Sequence, residues 1–236
     1  MILNYLSDII NKLKEIVLDM FYPKKCIMCN KLVSIGKSYA VCKECEKTIG
    51  SKNLFLIEPD SFFDEALCCV KYASYAKDSM MRFKFKDKEY LAKSYAYLIY
   101  QSVVNKGFIE DNMIMCPVPM HHKRDRDYNQ SELICNHLSK MLNLKTYSDM
   151  LIKIQNLSPL SKMGYSLRSA SIKGAIDFNV KYDIVGKDIV LIDDIYTSGS
   201  SVNECSKILK MHGAKSVLAL CALYSEWEDD EGGTTD

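Results

Sequence analysis

The chain has 236 residues, of which 48% are apolar and 26% are charged, and its formal net charge is +1. This balance is typical of a soluble globular protein, and it excludes a disordered chain, a collagen-like chain and a disulfide miniprotein. No run approaches the roughly 18 uncharged apolar residues of a membrane-spanning helix, and the first residues lack the pattern of a secretion signal. The acidic stretch 226–236 is predicted to be a disordered tail on a mildly basic body.

The first predicted element is an amphipathic helix over residues 1–21, which Pro23 ends. Its apolar side chains recur at steps of three and four residues, at Ile2, Leu6, Ile9, Leu13, Ile16 and Met20. Such a stripe packs on the chain's own core, docks onto a partner or lies on a membrane surface. The sequence favours packing on the chain's own core and leaves the other two interpretations open.

Residues 22–50 form a module with the cysteine spacing C-x2-C-x12-C-x2-C. Two close pairs can place four thiolates around one ion, as in structural zinc sites. The segment has too few large apolar residues to fold without such help. Disulfides are unsuited to a cytosolic chain, and a redox pair explains only one of the two CxxC motifs. We predict that a structural zinc ion is bound by Cys26, Cys29, Cys42 and Cys45.

The remaining body, residues 51–225, begins with a connector over 51–65 and then alternates short apolar strands with helices. Strands are predicted over 66–72, 113–118, 189–192 and 216–223, and helices over 74–105, 131–142 and 200–212. This alternation predicts βαβ units, so the fold class is α/β with a parallel sheet flanked by helices. The six cysteines of this part lie in apolar runs or helices, and most are predicted to be buried.

The most informative segment runs from Ile189 to Ser201, where an apolar strand leads into Asp193 and Asp194 and then into a turn rich in Thr, Ser and Gly. Open α/β sheets bind their ligands at the carboxyl ends of the strands. The turn and the start of a helix offer backbone N–H groups to a phosphate, and Gly199 lets the backbone approach it closely. Two carboxylates suit sugar hydroxyls or a hydrated divalent cation. The segment therefore predicts a site for a phosphorylated sugar, against the alternative of an ordinary strand end before a Ser-capped helix.

This segment resembles the phosphoribosyl pyrophosphate (PRPP) signature of type I phosphoribosyltransferases. The resemblance implies that Asp193 and Asp194 are the catalytic pair and face the ribose hydroxyls, directly or through Mg²⁺. It also implies that the 5′-phosphate is bound by the loop residues Thr197, Ser198, Gly199, Ser200 and Ser201.

A second segment follows the strand predicted over 113–118, where Pro-Val-Pro opens into a basic loop. Cations and backbone N–H groups offset the charge of a diphosphate, and this loop is predicted to cradle one. The predicted contacts are Pro119, Met120, His121, Lys123 and Arg124. A third segment, farther along the chain, adds Arg168 to the predicted ligand contacts. Behind a zinc module, this order of motifs resembles the ComF (competence protein F) family over roughly residues 18–225.

The resemblance implies a type I phosphoribosyltransferase-like domain behind a small zinc module. It implies a cytoplasmic protein, near the inner face of the membrane, that takes part in the uptake of transforming DNA. The implied ligand is PRPP or a related ribose phosphate with Mg²⁺, and the sequence does not reveal the acceptor.

Two functions stay open from the sequence. The chain is a PRPP-binding protein, with or without phosphoribosyltransferase turnover, or it is a non-catalytic adaptor that contacts single-stranded DNA or a competence helicase. The basic and aromatic stretch 71–97 suits nucleic-acid binding, although an amphipathic helix with a solvated basic side is the simpler interpretation.

Overall fold

The computed structural model describes residues 10, 13–14, 16–49, 54–56, 61–85, 89–104, 106–120, 128–154 and 175–225. Residues 16–21 are helical. The labelled elements, in chain order, are α1 Lys43–Glu46, β1 Leu54–Leu56, β2 Glu65–Lys71, α2 Ser74–Phe85, α3 Leu91–Val103, β3 Ile114–Pro117, α4 Gln130–Leu142, β4 Lys145–Thr146, β5 Leu151–Lys153, β6 Ile176–Phe178, β7 Asp188–Tyr196, α5 Ser200–Met211 and β8 Ser216–Tyr224.

The main sheet has six strands in the order β1-β2-β8-β7-β3-β4. The β1–β2 pairing is antiparallel, and the other four pairings are parallel. Strands β7 and β8 are apolar along most of their length because helices cover both faces of the centre of the sheet. Strands β5 and β6 form a separate antiparallel pair. The α/β class predicted from the alternation of strands and helices is confirmed.

Alternating side chains of the sheet build two cores, one on each face. On β7, Val190 and Ile192 pack in the core that α2, α3 and α4 cover. Ile189 and Leu191 pack in the core that contains α5 and the β5–β6 pair. The prediction for the cysteines outside the module is confirmed, since buried positions are occupied by Cys68, Cys69, Cys116, Cys135, Cys205 and Cys221.

Several short elements differ from the sequence prediction. The connector predicted over 51–65 contains β1, which pairs with β2 at the edge of the sheet. The helical stretch predicted over 74–105 is divided between α2 and α3. Strands β4, β5 and β6 have only two or three residues. Strands of that length are too short to show a periodic pattern in the sequence.

The N-terminal helix touches the cysteine module through one of its sides. Ile16 lies beside Gly36, and the Asp19 carboxylate accepts a hydrogen bond from the Gly36 amide at 3.0 Å. Two other members of the predicted apolar stripe, Leu13 and Met20, are 56% and 65% exposed. The expectation that the stripe packs as one face is therefore wrong for these two. None of the helices described has the length and apolar character needed to cross a bilayer.

The cysteine module packs directly on the helical face of the larger domain. Ile27 and Ala40 belong to the core that includes α3 and α4. The Ala40 amide donates a hydrogen bond to the buried Ser94 hydroxyl of α3 at 2.8 Å. Nearby, the rings of Tyr39 and Tyr97 stack with their centroids 3.5 Å apart. The module is thus an extension of the main core.

Candidate functional site

The four predicted cysteines converge into one cluster. Their Sγ atoms all lie within 4.8 Å of one another, and those of Cys29 and Cys42 are 3.6 Å apart. Four thiolates around a zinc ion, with bonds of about 2.3 Å, would lie roughly 3.8 Å from each other. The cluster therefore fits a tetrahedral metal, and four cysteines complete its coordination without an open position.

Local backbone structure places these thiols. In the first pair, Asn30 adopts φ = 63° and its amide donates to the Cys26 carbonyl at 2.9 Å, which closes a tight turn. In the second pair, Cys42 lies at the N-cap of α1 and Cys45 lies within that helix. Each pair thereby directs two sulfurs to the same point.

The sequence predicts a strand that ends at Ile192, but β7 continues to Tyr196, so the acid pair lies within the strand, close to its carboxyl end. The Asp193 carboxylate accepts hydrogen bonds from the Ser131 hydroxyl at 3.0 Å and from the Asp194 amide at 2.8 Å. Asp194 is only 8% exposed. Ser131 lies in the first turn of α4, which the Asn129 side chain caps by accepting from the Ser131 amide.

Asp194 is paired with a cation of the protein. The Lys84 ammonium lies 2.7 Å from an Asp194 carboxylate oxygen, and the two side chains are 16% and 12% exposed. Phe83, the neighbour of Lys84 in α2, is buried against the ring of Tyr95. The Tyr128 hydroxyl donates a hydrogen bond to the Phe83 carbonyl oxygen, which further fixes this end of α2. In this structure Asp194 thus contacts a lysine in the place where the sequence predicts a ribose or Mg²⁺.

Burial makes Asp193 hard to ionise. Desolvation, together with the neighbouring charge of Asp194, raises the pKa of Asp193 to about 7. The amide of Asp194, the charge of Lys84 and the hydroxyl of Ser131 act in the opposite direction and favour the carboxylate. Asp193 therefore titrates close to neutral pH, and an added cation would favour its carboxylate form.

The turn after β7 leads directly into the N-terminus of a helix. Residues 197–199 connect β7 directly to α5, which begins at Ser200. Gly199 adopts φ = 69°, and a Cβ atom there would collide with the Tyr196 hydroxyl, so only glycine fits. The Ser198 and Ser200 hydroxyls are 2.8 Å apart. The helix N-terminus and these hydroxyls lie together beside the acid pair, a combination that suits an anion.

Part of the predicted diphosphate loop also lies at this edge. The Val118 amide donates to the Ile192 carbonyl at 2.9 Å, so the chain leaves β3 next to β7. Pro119 and Met120 follow directly and are partly exposed. The other four predicted ligand contacts lie outside the described residues: His121, Lys123, Arg124 and Arg168.

Three further residues near the acid pair are not predicted as site residues from the sequence. In the sequence, Lys84 belongs to a basic stretch and Ser131 begins a predicted helix. The third is Lys153 on β5, where burial lowers the pKa of the ammonium while the charge of Asp193 acts to raise it. Each comes from a separate segment of the chain, and no local motif marks any of them.

Comparison with known proteins finds homologues over most of the chain, although no protein-family model matches it. Competence protein F of Haemophilus influenzae is 24% identical over 219 residues, which cover 84% of this chain and 95% of that protein. Competence protein ComFC of Bacillus subtilis is 24% identical, and the matched region covers 85% of this chain and 78% of that protein. DNA utilization protein YhgH of Escherichia coli K12 is 22% identical, and the matched region covers 83% of this chain and 88% of that protein.

Solved structures also match part of the chain. A hypoxanthine phosphoribosyltransferase from Staphylococcus aureus aligns with 64% of this chain and 76% of its own, at 15% identity and a TM-score of 0.35. A purine phosphoribosyltransferase from Pyrococcus horikoshii aligns with 60% of this chain and 90% of its own, at 10% identity and a TM-score of 0.35. The resemblance to the ComF family, predicted from the motifs, is confirmed by the homologous sequences.

Proposed function

We propose that this ComF-like chain binds PRPP with Mg²⁺ at the carboxyl end of β7. The observation that carries the proposal is the continuity of the segment. Two aspartates near the end of a buried parallel strand are followed by its last two residues, a glycine-containing turn and the N-terminus of α5. This is the place where open α/β sheets bind ligands, and helix N-termini there bind phosphate.

Each part of the segment has a chemical role in this proposal. The turn 197–199 and the first amides of α5 receive the 5′-phosphate, because aligned N–H groups stabilise an anion. Asp193 and Asp194 receive the ribose hydroxyls or the Mg²⁺ that accompanies the diphosphate. Asp194 must then exchange Lys84 for the ligand, and the released ammonium is available to the negative charge of the diphosphate.

The direct test is calorimetry of the purified, metal-loaded chain with PRPP and Mg²⁺. Wild-type protein is expected to bind, and the double variant Asp193→Asn, Asp194→Asn is expected to lose most of the affinity. A matched control is Asp149→Asn, which removes a carboxylate that pairs with Lys181 on the surface. Absence of PRPP binding by a folded wild-type chain would reject the proposal.

We also propose that the four-cysteine cluster holds zinc and that the chain serves DNA uptake, as the names of its relatives suggest. The rival proposal is an adaptor for single-stranded DNA or a helicase, in which the ribose-phosphate site is dispensable. Complementation of a strain lacking its own homologue separates them. Transformation that survives the double Asn variant but not Cys26→Ser supports the adaptor. Loss with both variants supports the PRPP-dependent role.

A further inference from the structure

A cavity lies between the cysteine module and the larger domain, apart from the acid pair. It has a volume of about 150 Å³. The module contributes Lys24, Ser38 and Ala40, the start of α3 contributes Tyr90, Lys93 and Ser94, and α4 contributes His137. The Ser94–Ala40 hydrogen bond crosses the same junction, so packing between the module and α3 forms the walls of the cavity.

The charged groups at this cavity are basic. Lys24 is paired with Asp19 at 2.8 Å. Among the residues that the structure describes, Lys93 and His137 have no carboxylate within ion-pair distance. Burial lowers the pKa of His137, and the charges of Lys140 and Lys93 lower it further. Lys93 thus disfavours the protonated form of His137, and an anion bound between the two side chains would stabilise that form.

Hydroxyl groups supply directional donors in addition to the charge. Ser94 is 1% exposed, and its oxygen accepts the Ala40 amide, which leaves the hydroxyl proton for another acceptor. Ser38 and Tyr90 add two more hydroxyls from the other walls. Donors on several sides match a tetrahedral oxyanion better than a planar carboxylate. The volume is below the roughly 300–1,000 Å³ of pockets for drug-sized ligands, so one chemical group fits rather than a whole nucleotide.

We propose that this cavity binds a phosphate group, with Lys93 and His137 as its main contacts. The site is independent of the PRPP site proposed above, because none of its lining residues belongs to β7 or to the turn after it. The phosphate has two chemically equivalent sources, a free phosphorylated small molecule or the backbone of single-stranded nucleic acid. In either case the ligand bridges the cysteine module and the larger domain.

Nuclear magnetic resonance of the histidine rings tests the proposal on the full metal-loaded chain, which has four histidines. Inorganic phosphate is titrated at constant ionic strength against chloride. The His137 signals are expected to shift saturably, and the pKa of His137 should rise because the bound anion stabilises the imidazolium. Lys93→Met should weaken the affinity about tenfold, the order of a lost charge-assisted hydrogen bond.

Two controls separate this site from general charge effects. Lys93→Arg should retain phosphate binding, and Lys187→Met removes an exposed lysine outside the cavity and should leave the affinity unchanged. The proposal is overturned if His137 shows no saturable shift, or if Lys93→Met and Lys187→Met behave alike. An oligothymidylate is titrated in the same way, with its concentration counted in phosphate groups. If it shifts the His137 signals at a lower concentration than inorganic phosphate does, the nucleic-acid backbone is the source. A response to inorganic phosphate and not to the oligomer identifies the free ligand.

Discussion

The four-cysteine cluster and the acid pair both gather metal-ligating side chains, but the protein balances their charges in different ways. In the cluster the four sulfurs face one another within 4.8 Å, so a cation between them offsets the repulsion of their thiolates. In the acid pair Lys84 already neutralises Asp194, and Ser131 donates to Asp193. The first arrangement suits a resident metal ion, whereas in the second a lysine of the protein already supplies the positive charge.

This difference teaches which site is structural and which can exchange its ligand. The thiols hold together two turns of a small module that packs into the main core through Ile27 and Ala40. Loss of an ion bound there would therefore threaten the fold. The acid pair lies on a sheet that is stabilised elsewhere, so a ligand can replace Lys84 without unfolding the domain.

Removal of one cysteine ligand should have the largest effect on stability. Cys26→Ser is expected to abolish stoichiometric zinc binding and to unfold the module, because structural zinc contributes on the order of 10 kcal/mol in such sites. Metal analysis and thermal unfolding measure the two consequences. Lys31→Gln is the control: it breaks the exposed 3.4 Å ion pair with Glu44, and exposed pairs contribute at most about 1 kcal/mol. Equal zinc content in Cys26→Ser and wild type would contradict the assigned ligands.

Removal of Lys84 should have an intermediate effect that depends on the ligand. Lys84→Met leaves Asp194 buried and unpaired, and the free energy of unfolding should fall by about 3 kcal/mol without Mg²⁺. Addition of Mg²⁺ should restore part of this loss, because a divalent cation takes the place of the ammonium and stabilises the folded state by mass action. Chemical denaturation with and without Mg²⁺ measures both effects.

The control for Lys84 is Lys215→Met. It removes the lysine that pairs with Asp188 at the start of β7, where the lysine is 67% exposed. This variant should lose little stability and should gain nothing from Mg²⁺. If Mg²⁺ also fails to raise the free energy of unfolding of Lys84→Met, then Asp194 does not exchange its partner for a metal. The proposed difference between the two sites would then be wrong.

The two sites also differ in how far the sequence could predict them. The cysteine spacing and the strand–Asp–Asp–turn segment are local patterns, and the structure brings their residues together as predicted. Lys84 and Ser131 reach the acid pair because parallel strands place the ends of α2 and α4 at one edge of the sheet. Their sequence neighbours show only an amphipathic helix and a helix start. Partners supplied by tertiary topology leave no signal in a single sequence.

Two serines, one beside each site, provide the smallest and most discriminating effect. Because the pKa of Asp193 is raised to about 7, the folded chain holds a proton that the unfolded chain has lost. Stability should therefore fall as pH rises from about 4 to about 7. Asp193→Asn should remove this dependence. Ser131→Ala removes a donor that favours the carboxylate, so the pKa should rise and the fall should extend above pH 7.

The matched variant is Ser94→Ala, which takes away the partner of the Ala40 amide beside the cysteine module. Each serine variant should cost about 1 kcal/mol, the usual net contribution of one hydrogen bond. The loss in Ser94→Ala should be the same from pH 5 to pH 8, because its hydroxyl oxygen accepts from a backbone amide, which does not titrate in this range. The loss in Ser131→Ala should grow over the same interval, because its acceptor becomes charged. Urea unfolding at each pH measures both, and parallel curves for the two serines would mean that Asp193 does not titrate near neutral pH.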